Sequence, residues 1–74
     1  MLVNEHGLIN RDPEILGGAP VFMGTRVLVE TMLDYLAAGQ PLEDFLEDFP
    51  AVKREQATAV LEMLKQALEM PQPA

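Results

Sequence analysis

A chain of 74 residues with no cysteine is one small domain, with neither a disulfide nor a thiolate metal site to hold it. Twelve acids against five bases give a formal net charge of −7, a field that repels phosphate at long range and draws basic partners. Hydrophobic residues make up 49% of the chain, yet a domain this size hides only roughly 60% of its unfolded surface, so self-association is the expected supplement to a thin core.

The opening residues Met1 to His6 lack a basic segment followed by a long apolar run, and no apolar stretch approaches the roughly 20 residues of a membrane span. The expectation is a cytoplasmic protein. His6 stands alone, without a Cys, His or Asp cluster, and reads as a packing or exposed residue rather than a ligand. Leu8-Ile9 is expected to pair as a short strand with Val21-Phe22. Between them Asp12 can cap a turn whose first helical position suits Pro13.

The stretch from Gly17 to Val27 organises the chain. Two small apolar runs, Pro20 to Met23 and Thr25 to Val29, flank Gly24 and read as β-segments meeting at a glycine turn, since only Gly enters the positive-φ region without steric cost. Gly17-Gly18 is a second break before them.

Helical spacing takes over from there. Val29, Met32, Leu33 and Leu36 fall at i, i+3, i+4 and i+7, predicting a helix over 30–38 closed by Gly39. Leu42, Phe45, Leu46 and Phe49 repeat the spacing over 41–48, with Pro41 at the start, Glu43 and Asp44 in the favourable first turn, and Pro50 as the stop. A third helix is predicted over 53–69. Its main stripe is Ala57, Val60, Leu61, Leu64 and Leu68; a second line, Ala59, Met63, Ala67 and Met70, is expected to meet another chain as a homodimer. Residues 71–74 read as a frayed tail. The expected architecture is a mainly α single domain over 1–74: a small N-terminal β-hairpin element with turns over 1–28, then a three-helix bundle over 29–70. The short second helix, tight turn and longer third helix fit a helix-turn-helix, although plain three-helix packing gives the same pattern.

Chemistry-bearing residues are few. Lys53 and Arg54 are the one local pair of bases, at the start of the third helix with Gln56 and Thr58 nearby, where a recognition helix meets DNA; two bases neutralise only about two phosphates. Glu43, Asp44, Glu47 and Asp48 form an acidic face that reads as solvated or as a dock for a basic partner, since no His completes a metal site. Arg26 has two readings. It can clamp the hairpin to the helices through an acid such as Glu30 or Asp44, or it can project into an acidic site on a partner. No Ser/His/Asp or Cys/His set can be assembled and no phosphate-cradling loop is present, so the chain reads as non-enzymatic and without a cofactor.

The run GGAPVFMGTRVLVETMLDYLAAGQPLEDFLEDFP, followed by Lys53-Arg54-Glu55-Gln56, resembles the domain of unknown function 433 family over about residues 8 to 66. The shared pattern is Gly-x-Pro-Val, Gly-Thr-Arg, an apolar helix ending in Gly, and an acidic helix ending in aromatic-Pro. Leu28 stands where the family often has Pro, and Lys53 where a Ser or Thr cap is common. The resemblance implies a homeodomain-like helix-turn-helix behind a small β-element. It also implies an antitoxin-like role beside a PIN-type ribonuclease toxin, with operator DNA as a further ligand. The alternative is a stand-alone DNA-binding transcriptional regulator.

Overall fold

The computed structural model describes residues 3–5 and 7–69; His6, Met70 and the expected tail over 71–74 lie outside the described residues. Three short strands precede three helices: β1 (Val3–Glu5), β2 (Ile9–Arg11), β3 (Val21–Phe22), α1 (Val29–Ala37), α2 (Leu42–Asp48) and α3 (Arg54–Glu69). The strands form one antiparallel sheet in the order β1-β2-β3. Ile9 pairs with Phe22 and Asn10 with Val21, which is the pairing the apolar runs predict. Strand β1 was not foreseen, because its residues carry no clear alternation; it pairs through Asn4 opposite Asn10, across a reversal containing Gly7 at φ +70°.

The turn after β3 is built by backbone and one hydroxyl. The Phe22 carbonyl accepts the Thr25 N–H at 3.0 Å, and the Phe22 N–H donates to the Val27 carbonyl at 3.0 Å. Gly24 sits between them at φ +78°, the value a type II turn needs at its third residue. Leu28 bridges back to Val21. The Pro20 carbonyl then accepts the Val29 N–H at 3.1 Å, which satisfies one of the unpaired donors at the start of α1.

At its other end α1 closes in a Schellman motif. The Gly39 N–H donates to the Leu36 carbonyl and the Gln40 N–H to the Tyr35 carbonyl, both at 3.0 Å, with Gly39 at φ +84°. Helix boundaries fall within one residue of the spacing-based expectation; Pro41 stands just before α2 rather than inside it. Among the described residues no helix is long and apolar enough to cross a membrane.

The core is Ile9, Val21, Phe22, Val29, Met32, Phe45, Val52, Ala57 and Val60. Phe45 is its hub: its ring lies 5.9 Å from Phe22, 5.5 Å edge-on from Tyr35 and 5.2 Å from Phe49. The chain has three Phe and one Tyr, so all its aromatic rings are in this one cluster. Two expected core residues are not there. Leu33 is 38% exposed, because Val29, Met32 and Leu36 carry the inward line of α1 and Leu33 flanks it. Leu68 is 86% exposed, because the 16 residues of α3, about 24 Å at 1.5 Å per residue, outrun the shorter α1 and α2.

Phe45→Ala is expected to cost about 3–5 kcal/mol, against a total of about 4–11 kcal/mol for a chain of this length, and so to leave a substantial unfolded fraction in chemical denaturation. Gly24→Ala meets no atom within 4 Å. Its cost is the positive φ alone, about 1 kcal/mol, read as a loss of about 4–8 °C in Tm.

Candidate partner-binding surface

The start of α3 is where the sheet and the helices are joined. Lys53 precedes the helix, and its N–H donates to Gln56 Oε1 at 3.0 Å, the back-reaching half of a capping box. The other end of the same amide, Gln56 Nε2, donates to the Met23 carbonyl at 3.0 Å. A half-buried carboxamide therefore holds the turn after β3 against the first turn of α3. This resolves how the helix begins without a Ser or Thr cap. It also spends both ends of Gln56, which was a candidate for reading DNA, inside the chain.

The turn it holds carries Arg26. Thr25 Oγ1 donates to the Phe22 carbonyl at 2.9 Å and accepts the Val27 N–H at 3.0 Å. Thr25 and Val27 are half-buried, and Arg26 between them is exposed. The expected clamp from Arg26 to Glu30 or Asp44 is not formed, and Arg26 has no ion pair among the described residues. The Thr25 hydroxyl and the Gln56 amide do that work instead, at lower desolvation cost than a guanidinium–carboxylate pair.

The other candidates divide. Arg54 Nη2 lies 3.3 Å from Glu43 Oε2, so one expected DNA contact and one expected partner contact neutralise each other across α2 and α3. Both side chains are more than half exposed, at 56% and 62%, and such a pair contributes about 0–1 kcal/mol. Lys53, just before α3, and Thr58, in its second turn, are exposed, with the exposed Glu55 between them. Asp44 and Glu47 are exposed on α2 without an ion pair among the described residues. Among the described residues no group of three or more His, Cys, Asp or Glu is placed to hold a metal. Ala59 and Met63 are half-buried, and Met63 packs against the core, while Ala67 is exposed; Met70 lies outside the described residues.

Tyr35 was not singled out from the sequence. Its hydroxyl donates to Asp48 Oδ2 at 2.6 Å, tying α1 to the end of α2 where the ring also meets Phe49. Tyr at the sixth position after Val29, flanking the apolar stripe, is the sole signal that could have pointed to it.

With this geometry in place, the sequence profile of the family described as "Protein of unknown function (DUF433)" matches residues 9–62, from β2 to the middle of α3. The chain belongs to this family. The DUF433 segment therefore spans β2 and β3, the Met23–Gln56 joint, α1, α2 and α3 as far as Glu62. The chain is also similar to the uncharacterized protein y4eO of Sinorhizobium fredii (strain NBRC 101917 / NGR234), 42% identical over 48 residues. That match covers 65% of this chain and 22% of the relative, so the DUF433 chain corresponds to about a fifth of that protein. No solved structure matches the chain.

The Tyr35–Asp48 bond makes a pH prediction. The Tyr35 pKa is raised above its ordinary 10.0, first by the hydrogen bond to Asp48, then by desolvation and the charges of Asp48 and Asp44. The folded chain holds the proton more tightly, so the bond's contribution is intact below 10.0 and is lost as pH rises through the higher folded value. Ultraviolet titration of the chain's single tyrosine is expected to give a midpoint above 10.0 in the wild type and a lower one in Asp48→Asn.

Proposed function

We propose that this DUF433 domain is a non-enzymatic, cytoplasmic, antitoxin-like module that docks on a PIN-type ribonuclease through the turn carrying Arg26. The observation that supports it is the state of Arg26: an exposed guanidinium with no ion pair among the described residues, on a turn fixed by Thr25 and Gln56. A nuclease of that kind presents clustered carboxylates, and a pre-positioned guanidinium binds carboxylate with two parallel N–H donors. Because the turn is already fixed, little ordering entropy is lost on docking. The net charge of −7 also favours a basic protein surface over a polyphosphate.

Operator DNA binding is the second reading, and the short helix, tight turn and longer helix favour it. On that reading Lys53 and Thr58 face the DNA, with Arg54 available only after release from Glu43. The charge available there is small, so any such affinity is modest and depends on a partner or a second copy.

The test is co-purification with a PIN-type ribonuclease encoded beside this chain, together with inhibition of that ribonuclease's RNA cleavage; a neighbourhood with no such reading frame counts against the proposal. Arg26→Ala is expected to weaken binding by about 2 kcal/mol, roughly thirtyfold, with Tm unchanged; Arg26→Lys is expected to recover only part of the loss. Binding unaffected by Arg26→Ala overturns the docking site. Promoter binding by the chain alone, weakened by Lys53→Ala, establishes the regulator reading instead.

A further inference from the structure

One amide side chain joins two segments that each carry an exposed base. Gln56 Oε1 accepts the Lys53 N–H at 3.0 Å, and Gln56 Nε2 donates to the Met23 carbonyl at 3.0 Å. A single planar carboxamide therefore separates the backbone just before α3 from the turn after β3. It holds the Lys53 nitrogen within about 8 Å of the Met23 oxygen. Arg26 lies three residues after Met23, just past the tight turn at Gly24.

The other bases are placed differently. Arg54 is paired with Glu43, Arg11 lies on β2, and Lys65 stands on the far half of α3. Arg26 and Lys53 are exposed, and neither has an ion pair among the described residues. They are far apart in the sequence, and the Gln56 bonds bring the segments that bear them side by side. Their spacing is held by hydrogen bonds at both ends: Thr25 Oγ1 closes the turn around Arg26, and Gln56 caps the Lys53 N–H.

Two fixed bases of different shape suit two carboxylates. Arg26 offers a planar fork to one, and Lys53 a compact ammonium on a flexible stem to the other. A phosphate track would also meet the exposed Glu55 beside Lys53, in a field set by a net charge of −7. A protein surface can set two acids on the two bases and its own bases against the acids around them.

We infer that Lys53 belongs to the same docking surface as Arg26, which takes two carboxylates of one protein partner at a spacing that Gln56 sets. Lys53 touches the partner, and Gln56 is a positioning residue. This moves Lys53 from the DNA reading to the protein reading. The inference rests on the proposal that the chain docks on a ribonuclease, and adds to it a second contact.

Calorimetric titration of a PIN-type ribonuclease encoded beside this chain tests it. Lys53→Ala is expected to weaken binding by about tenfold and to flatten its fall with salt, with Tm unchanged. Gln56→Leu keeps both bases but releases their spacing. It is expected to weaken binding by about tenfold in the wild-type background and by no more than about twofold beside Arg26→Ala, because spacing matters only while both bases are engaged. A merely structural Gln56 costs the same in both backgrounds, and that result overturns its positioning role. Lys53→Ala changes an exposed side chain and keeps the backbone bond to Gln56, so it decides the second contact whatever Gln56→Leu does to the fold. Ribonuclease binding that Arg26→Ala weakens and Lys53→Ala does not overturns the inference and leaves the ribonuclease reading standing. No binding by the wild type overturns both.

Discussion

Phe45 is the side chain on which the rest of the structure depends. A sheet of three short strands cannot support itself, and neither can helices of nine and seven residues. Each needs an apolar partner, and a single ring supplies it. Phe45 meets Phe22 from the sheet, Tyr35 from α1 and Phe49 from the turn into α3. The offset and edge-on geometries are those in which aromatic rings attract beyond simple burial. Around this hub the apolar residues of β2, β3, α1 and α3 close a core with no buried polar side chain among the described residues.

Polar groups then fix orientation at the rim. The Gln56 carboxamide links the Met23 carbonyl to the start of α3, the Thr25 hydroxyl closes its own turn, and the Tyr35 hydroxyl ties α1 to Asp48. Each of these bonds is worth only about 1 kcal/mol. Their effect is on geometry: they remove the freedom of the turn that bears Arg26 relative to the helices. The charge distribution completes the picture. Arg54 is paired with Glu43, while Arg26, Lys53 and Lys65 stand exposed at three separate places on an acidic molecule. Isolated cations on such a background are better suited to individual contacts with protein carboxylates than to a continuous phosphate track.

Much of the fold is legible in the sequence because helices and glycine turns are locally encoded. The spacing of Val29, Met32 and Leu36, of Leu42, Phe45 and Phe49, and of Ala57, Val60 and Leu64 places three helices to within a residue. Gly24 and Gly39 both take the positive φ their positions call for. The departures concern what depends on distant partners. Strand β1 exists because β2 offers an edge, and its residues alone do not announce it. Leu16, Gly17 and Gly18 form a tight left-handed turn in which Leu16 itself takes φ +52°, a conformation no pattern rule assigns to leucine. Leu68 has the right spacing for the core, but whether a core faces it depends on the lengths of α1 and α2. Gln56 reads as a polar residue on a recognition helix until the turn after β3 is seen against it. The clamp reading of Arg26 is not realised, and the Thr25 hydroxyl closes the turn with local bonds that the sequence pattern does not announce.

Native-state amide hydrogen exchange tests the central claim most directly, that the turn bearing Arg26 is one rigid unit with α3. The amides of Phe22, Thr25, Val27 and Lys53 donate to Val27, Phe22, Thr25 and Gln56 respectively, and Val60 lies within α3 and the core. The account predicts that all four open with the same free energy as the Val60 amide, in one cooperative step. Exchange of Thr25 and Val27 at the rate of an unstructured loop, with Val60 still protected, would contradict it.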